Sequence, residues 1–528
     1  MPSAPHPLTQ LLLGLETWSR ERLADAFAER ARTLGLIYLA PEGPKPIPVV
    51  FPPIIEARQR TEARAALARE VTAAVASAAR RILDGALGEG LADELLAELA
   101  PIEREIVSSR YASLDRLATV RADLFEDASG NDRLLELNST IPAMQAYSDI
   151  AAQAFVEATL EILGGDGAEG AREILALNGS NSDDLLRSLL ACYRAEGGAA
   201  PTPSIALVHR PGDSQLFELR FLAERFRASG HRAETVEVGS IRLEEDGAAA
   251  VVESGFRPDI LYRHVFATRV DPRSDFAAIL RAPEGHGLFN QVAPHLEQKG
   301  ILAEVSVAAA DPDRSKHLGI SPHQAALIRR HVPWTRRLRP GTSTDPRGAP
   351  LPELIDFAIR GQAGLVLKRS WDFGGKGVFL GAEYGDASSL ARAATRFQER
   401  RLSSRVPDPL EALSHPGGGL HASDPLDWAG LVDACVQERG WIVQERVPLE
   451  QRRVLLAGGA GAVPGEVFID ISSFTNLGGA IEAAAAPRGG VCRASSSAIV
   501  NIQSGGGVVP LLSREAADLL VSRLSRRP

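Results

Sequence analysis

Arg121, Asp123, Glu136 and Asn138 are the four residues whose types and spacing most suggest chemistry. The first pair lies in Thr119-Val120-Arg121-Ala122-Asp123-Leu124-Phe125 and the second in Leu134-Leu135-Glu136-Leu137-Asn138, each alternating polar and apolar as half-buried strands do. Between them, the acidic stretch from Glu126 to Arg133 contains Ser129-Gly130. A two-residue turn there predicts a hairpin that sets Asp123 opposite Glu136 and Arg121 opposite Asn138. Opposed side chains on such a ladder have Cβ atoms roughly 4.5–5.5 Å apart. Two carboxylates and an amide would then gather beside one guanidinium. Hard oxygen ligands at that spacing suit Mg²⁺, which takes one or two carboxylates and completes its shell with water and substrate phosphates. The same four residues are also compatible with a salt-bridged sheet surface on which Arg121 neutralises Asp123.

A second cluster of chemistry-bearing residues lies downstream. Gly364-Leu365-Val366-Leu367-Lys368-Arg369-Ser370 reads as a strand, followed by Trp371-Asp372-Phe373-Gly374-Gly375-Lys376-Gly377 and a further strand at Val378-Phe379-Leu380. A Walker A loop needs glycine where Ser370 stands and Ser or Thr where Gly377 stands. The segment is instead a hairpin turn whose backbone N–H groups, relieved of Cβ bulk at Gly374, Gly375 and Gly377, can fold over a polyphosphate. Lys368 would reach the same phosphates from the strand and Lys376 from the turn; a plain glycine turn with solvated lysines is the alternative. Trp441-Ile442-Val443-Gln444-Glu445-Arg446-Val447 is strongly β-prone and suited to line an adenine. Lys316, in Arg314-Ser315-Lys316-His317, would supply another positive charge.

Length and composition set the frame for these pieces. At 528 residues the chain is too long for one core, since domains average roughly 150 residues. It is 45% hydrophobic and 24% charged, the composition of an ordinary globular protein. A net charge of -9 argues against nucleic acid or an acidic membrane as the main partner. Cys192, Cys435 and Cys492 form no CxxC or zinc spacing, which predicts reduced, buried thiols in a cytoplasmic protein. No run approaches the roughly 20 apolar residues of a membrane span, and Leu11-Leu12-Leu13 is too short for a signal sequence.

The elements that must position the candidate residues follow from periodicity. Residues 1–110 read as a helical region, with Ala63, Ala66 and Leu67 or Leu91, Leu95, Leu96 and Leu99 at helical spacing and a Pro-rich break from Pro41 to Pro53. Residues 111–165 hold the hairpin and a helix from Ile150 to Leu163. Residues 166–310 contain a β-α-β unit: Ser204 to Val208, a helix from about Gln215 to Ser229, and Arg232 to Val238. His209, Arg210, Arg263 and His264 follow strand ends there and are substrate-side candidates. No GxGxxG follows Val208, which argues against a nicotinamide site. Asn178 to Asp183 reads as a turn and helix cap. Residues 311–528 carry the nucleotide segments, and the glycine turn at 374–377 and the Pro- and Gly-rich 403–428 stretch are lid candidates.

Taken together and in order, these pieces resemble the circularly permuted ATP-grasp family, particularly the synthetase domain of glutathionylspermidine synthetase. The resemblance rests on an R-x-D strand, Arg121 and Asp123, followed by an E-x-N strand, Glu136 and Asn138, with Pro142 nearby. In ordinary ATP-grasp enzymes the carboxylates follow the phosphate lysines, whereas here they precede them.

The fold implied is α/β (α+β), a circularly permuted ATP-grasp with a central pre-ATP-grasp-like open α/β domain and a helical N-terminal region. ATP and Mg²⁺ are the implied cofactors. Asp123, Glu136 and Asn138 would hold the metal, Lys316 and Lys368 the phosphates, and Gln444, Glu445, Arg446 and Val447 the adenine. Arg121 and Arg493, the latter in Gly489-Gly490-Val491-Cys492-Arg493, would stabilise the transferred phosphoryl group. The expected reaction joins a small-molecule or peptide carboxylate to an amine through an acyl phosphate; a small-molecule kinase and a nucleotide-binding scaffold are the competing functions. The resemblance does not extend to an amidase domain, so thiol hydrolase activity is not expected.

Overall fold

A computed structural model describes residues 5–110, 117–165, 167–372, 377–384, 427–458, 461–477, 490–500 and 506–524. The strand Leu117–Glu126 is buried between two layers, and its alternation explains the arrangement around it. Val120, Ala122 and Leu124 face a core built with the long helix Arg58–Leu83, whereas Arg121, Asp123 and Phe125 project from the opposite face. Both faces are covered, so the strand is buried almost throughout rather than half-buried.

Leu117–Glu126 pairs with Asp132–Asn138 and brings Arg121 opposite Asn138 and Asp123 opposite Glu136. A bulge after Asp123 shifts the rest of the ladder, so that Glu126 opposes Asp132. The connection is therefore a five-residue loop, not a two-residue turn. Asp127 organises it by accepting from the N–H groups of Ser129 and Asn131, and Gly130 takes φ +79°.

The strands of this sheet run in the order Arg452–Gly458, Val49–Phe51, Gly507–Val509, Val491–Ser495, Gly461–Leu477, Leu117–Glu126 and Asp132–Asn138. The first also pairs with the start of Gly461–Leu477, so five strands close on themselves around Val50, Val454, Ile469, Ile471, Cys492 and Val509. The Pro-rich break is thus not a spacer between helices. Val49–Phe51 enters the sheet and Ile54–Glu56 pairs with Leu511–Ser513.

In the helix Arg58–Leu83 the buried stripe runs through Ala65, Ala68, Val71, Val75, Ala79 and Ile82, leaving Ala63 exposed. Arg64, also buried, donates to both oxygens of Glu56 at 2.6 and 2.9 Å and to Asp132 at 2.9 Å, tying this helix to the hairpin.

The central unit is a parallel sheet ordered Leu288–Phe289, Ile260–His264, Ile205–His209 and Ala233–Glu237. Leu216–Ala228 is the crossover helix between the last two. An antiparallel sheet ordered Thr335–Arg337, Trp441–Glu445, Leu365–Arg369 and Val378–Leu380 carries the nucleotide candidates. Among the described residues, no helix is long and apolar enough to cross a membrane.

Candidate functional site

A cleft of about 1060 Å³, counted to its open mouth, lies between the antiparallel sheet and the projecting face of Leu117–Glu126. Of the residues singled out in the sequence, Asp123, Glu136, Lys368, Gly377, Gln444, Glu445, Arg446, Val447 and Arg493 line it. Gly374, Gly375 and Lys376 lie outside the described residues, as do residues 403–426 of the other lid candidate. At Gly377 a Cβ would come within 2.7 Å of the Arg369 Cβ, because the Gly377 carbonyl accepts from the Arg369 N–H at 2.9 Å. Glycine is required there by that close approach.

Lys316 is not part of this arrangement. It sits exposed on the short helix Pro312–His317, outside the cleft. The second lysine of the cleft is Lys299, in the first turn of the helix Lys299–Ala308. Its Nζ lies 3.3 Å from the Glu136 carboxylate and donates to the Asp372 carbonyl at 3.1 Å. The sequence carried one signal for it: Lys299 opens an otherwise apolar run, Gly300-Ile301-Leu302-Ala303, where a solvated lysine has no place.

Lys368 is buried, and the desolvation of its ammonium lowers its pKa to about 8, against the opposing pull of Glu136. Although burial disfavours the ionised carboxyl of Glu136, Lys299 and Lys368 hold it below its ordinary value. The floor of the cleft is thus two cations around one carboxylate, a set matched to a polyanion.

Beside that set is a network of fixed guanidinium pairs. Arg121 binds both oxygens of Asp123, at 2.6 and 3.0 Å, and its remaining terminal nitrogen donates to the Ala143 carbonyl at 3.0 Å. Arg493 donates to Asp123 at 2.8 Å and grips Asp470 through Nε and Nη2. The Ser472 hydroxyl adds a bond to Asp123 at 3.0 Å. Burial opposes ionisation of Asp123, but Arg121 and Arg493 hold its pKa far below the usual carboxylate range. Asp470 and Ser472 went unremarked in the sequence, although Phe468-Ile469-Asp470-Ile471-Ser472 alternates like the hairpin strands.

This geometry redistributes the expected roles. Arg121 does not line the cleft; it holds Asp123 in place. Asn138 does not line it either. Among the described residues no group of three or more His, Cys, Asp or Glu side chains is placed to hold a metal. Asp123 and Glu136 line the cleft, with both oxygens of Asp123 already bonded to Arg121, whereas Asn138 does not line it. One carboxylate beside two cations fits a Mg²⁺ that is carried on phosphates, for which one protein carboxylate suffices; Glu136 would be that carboxylate.

On the wall of the cleft, the Gln444 amide donates to Thr335 Oγ1 at 2.9 Å, which fixes its orientation. The N–H groups of Glu445 and Arg446 donate to the carbonyls of Trp334 and Gly364, so those two are not available to a purine.

No family model and no curated protein matches the chain. Among solved structures it matches the apo form of a glutathione synthetase-like effector, GSS30, from Globodera pallida, with a TM-score of 0.51 at 11% identity. The match covers 95% of this chain and 98% of that one. The chain shares the mixed α/β fold of that effector. The likeness spans the whole architecture, and at this identity it speaks to fold alone.

The substrate-side candidates of the parallel sheet separate into two kinds. Arg263 is fully buried and donates to the backbone carbonyls of Asn290, Val265 and Gln291, so it is a strut rather than a substrate contact. His264, also buried, has its Nδ1 3.9 Å from the Asp213 carboxylate, and His209 Nδ1 contacts the Arg210 carbonyl. Nearby Glu218 accepts from the N–H groups of Met144 and Ala146, and burial pushes its carboxyl up to about 7.

Proposed function

We propose that the protein is an ATP-dependent carboxylate–amine ligase of the circularly permuted ATP-grasp type. The observation that carries this reading is the convergence of Lys299, Lys368 and Glu136 from three separate segments onto one cleft, beside the guanidinium of Arg493. The fold shared with the glutathione synthetase-like effector accords with it.

Lys299 and Lys368 bind the nucleotide phosphates, and the wall from Gln444 to Val447 receives the base. Glu136 would hold a Mg²⁺ carried on the phosphates, and the ion would offset charge on the transferring phosphoryl group. Arg493, locked by Asp470 and Asp123, presents a guanidinium to the same group without having to reorganise. A substrate carboxylate oxygen bonds to the γ-phosphorus as ADP leaves. The amine nitrogen then bonds to the acyl carbon as inorganic phosphate leaves, and the amine gives up a proton. An acyl phosphate hydrolyses in water, so this chemistry requires that water be kept from the cleft while the amine attacks.

The test is the thermal midpoint with ADP, in Mg²⁺ or in EDTA. A ligand at 100 times its Kd adds about 2.7 kcal/mol to the folded state. A Mg²⁺-dependent rise that is lost in Glu136→Gln supports the site; no shift at millimolar nucleotide refutes it. Phosphate release that requires both an acid and an amine then distinguishes a ligase from a kinase.

A further inference from the structure

Lys299 cannot place itself. A lysine stem is flexible, so the position of its ammonium depends on the backbone that carries it. Glu297, Gln298 and Lys299 are consecutive, and each is held by a different part of the molecule. The Glu297 carboxylate accepts from the N–H groups of Ser139 and Thr140, directly after the Glu136 strand. The Gln298 amide donates to the Leu95 carbonyl at 2.8 Å and to Glu98 at 3.2 Å, both in the N-terminal region. The Lys299 N–H donates to the Ser370 carbonyl at 2.9 Å, and the Gly300 N–H donates to the Ser370 hydroxyl at 3.0 Å.

Ser370 therefore satisfies two donors in the first turn of the Lys299 helix, which no residue of the helix itself can do. It stands two residues after Lys368 in the same extended segment, and its own N–H donates to the Gly440 carbonyl at 2.8 Å. Space at this junction is limited. A Cβ on Gly300 would lie 2.9 Å from both the Leu95 Cδ2 and the Ser370 Oγ. Ser370 is 1% exposed, so loss of its hydroxyl leaves a buried N–H without its acceptor.

We infer that Ser370 and Gln298 are positioning residues for Lys299, and that the N-terminal region acts on phosphate binding through this junction. The inference rests on the reading of Lys299 as a phosphate lysine. It assigns the region before the hairpin a part in ligand recognition: Leu95 and Glu98 anchor Gln298, which sets the start of the helix whose first lysine enters the cleft.

Calorimetric titration with Mg·ADP and with adenosine, which lacks phosphates, tests it on the full chain. Ser370→Ala and Gln298→Ala are each expected to weaken Mg·ADP about tenfold and to leave adenosine unchanged. The Lys299→Met variant loses the same discrimination, and the Ser370→Ala/Lys299→Met double variant loses little more than Lys299→Met alone. Additive losses, or equal losses for adenosine, mean that Ser370 only supports the fold and overturn the inference. Gln298→Ala carries the same test if the Ser370 variant does not fold. Wild-type protein that binds no Mg·ADP overturns the reading of the cleft itself. Wild-type binding that falls in Lys299→Met but holds in both positioning variants overturns only this inference.

Discussion

Replacing Lys299 or Lys316 separates the lysine that the tertiary structure brings to the cleft from the one that local sequence suggested. Lys299→Met keeps most of the stem and removes the charge. Lys299 is a buried residue, 7% exposed, and its ammonium lies 3.3 Å from Glu136, so bulk water screens it little. A hydrogen bond from a charged donor contributes about 1.5–3 kcal/mol, or roughly 10- to 150-fold in Kd for a phosphate ligand. The loss falls toward the upper end, because Glu136 then keeps only Lys368 to offset its repulsion of incoming phosphates. Lys316 is exposed and outside the cleft, so Lys316→Met should change Kd by no more than about twofold, as a surface substitution within ±0.5 kcal/mol does. Calorimetric titration with Mg·ADP at constant pH and ionic strength measures both. Weakened binding in Lys316→Met with unchanged binding in Lys299→Met would refute the assignment of the cleft.

Other consequences are open to direct measurement. With Lys368 at about 8 in the folded protein and near 10.5 unfolded, the unfolded chain holds the extra proton between those values. Stability from this group therefore rises with pH across that window, and urea titrations of Lys368→Met should lack the rise. For the same reason Mg·ADP affinity should fall above about pH 8, because phosphate binding must recapture that proton. Arg64→Ala strands the buried Glu56 carboxylate and should cost about 3–5 kcal/mol in a denaturant titration, far more than an exposed ion pair. Glu218 titrates at about 7 when folded and near 4.5 when unfolded, so its contribution is full below pH 4.5 and lost as pH rises to about 7. Glu218→Gln should remove that decline; equal pH profiles for the variant and wild type would show that Glu218 is not desolvated.

Alternation was legible wherever a strand has two distinct faces. The pairing of Arg121 with Asn138 and of Asp123 with Glu136 follows from a two-residue turn at Ser129-Gly130, and it holds in the structure because the bulge after Asp123 offsets the different loop length. The bulge after Asp123 could not be read, since one extra residue between Leu134 and Glu136 leaves no compositional mark. The β-α-β unit and the strands around Lys368 and Gln444 were legible for the same local reasons. The short strand Val49–Phe51 was hidden among prolines, and its partners lie hundreds of residues away.

The sequence by itself determined the types: carboxylates and a guanidinium on one hairpin, a lysine on a β-run before a glycine turn, and a fold class that alternates helix with sheet. Local periodicity suffices for these, because helix and strand repeat over a few residues. Which charges meet was decided only by tertiary structure. Asp123 faces Arg121 two residues away, but it also faces Arg493, which arrives from 370 positions later, and Glu136 meets Lys299 rather than Lys316. Electrostatic energy falls with distance in space, and distance along the chain does not reveal it. The position of Asp123 between two arginines follows from that difference.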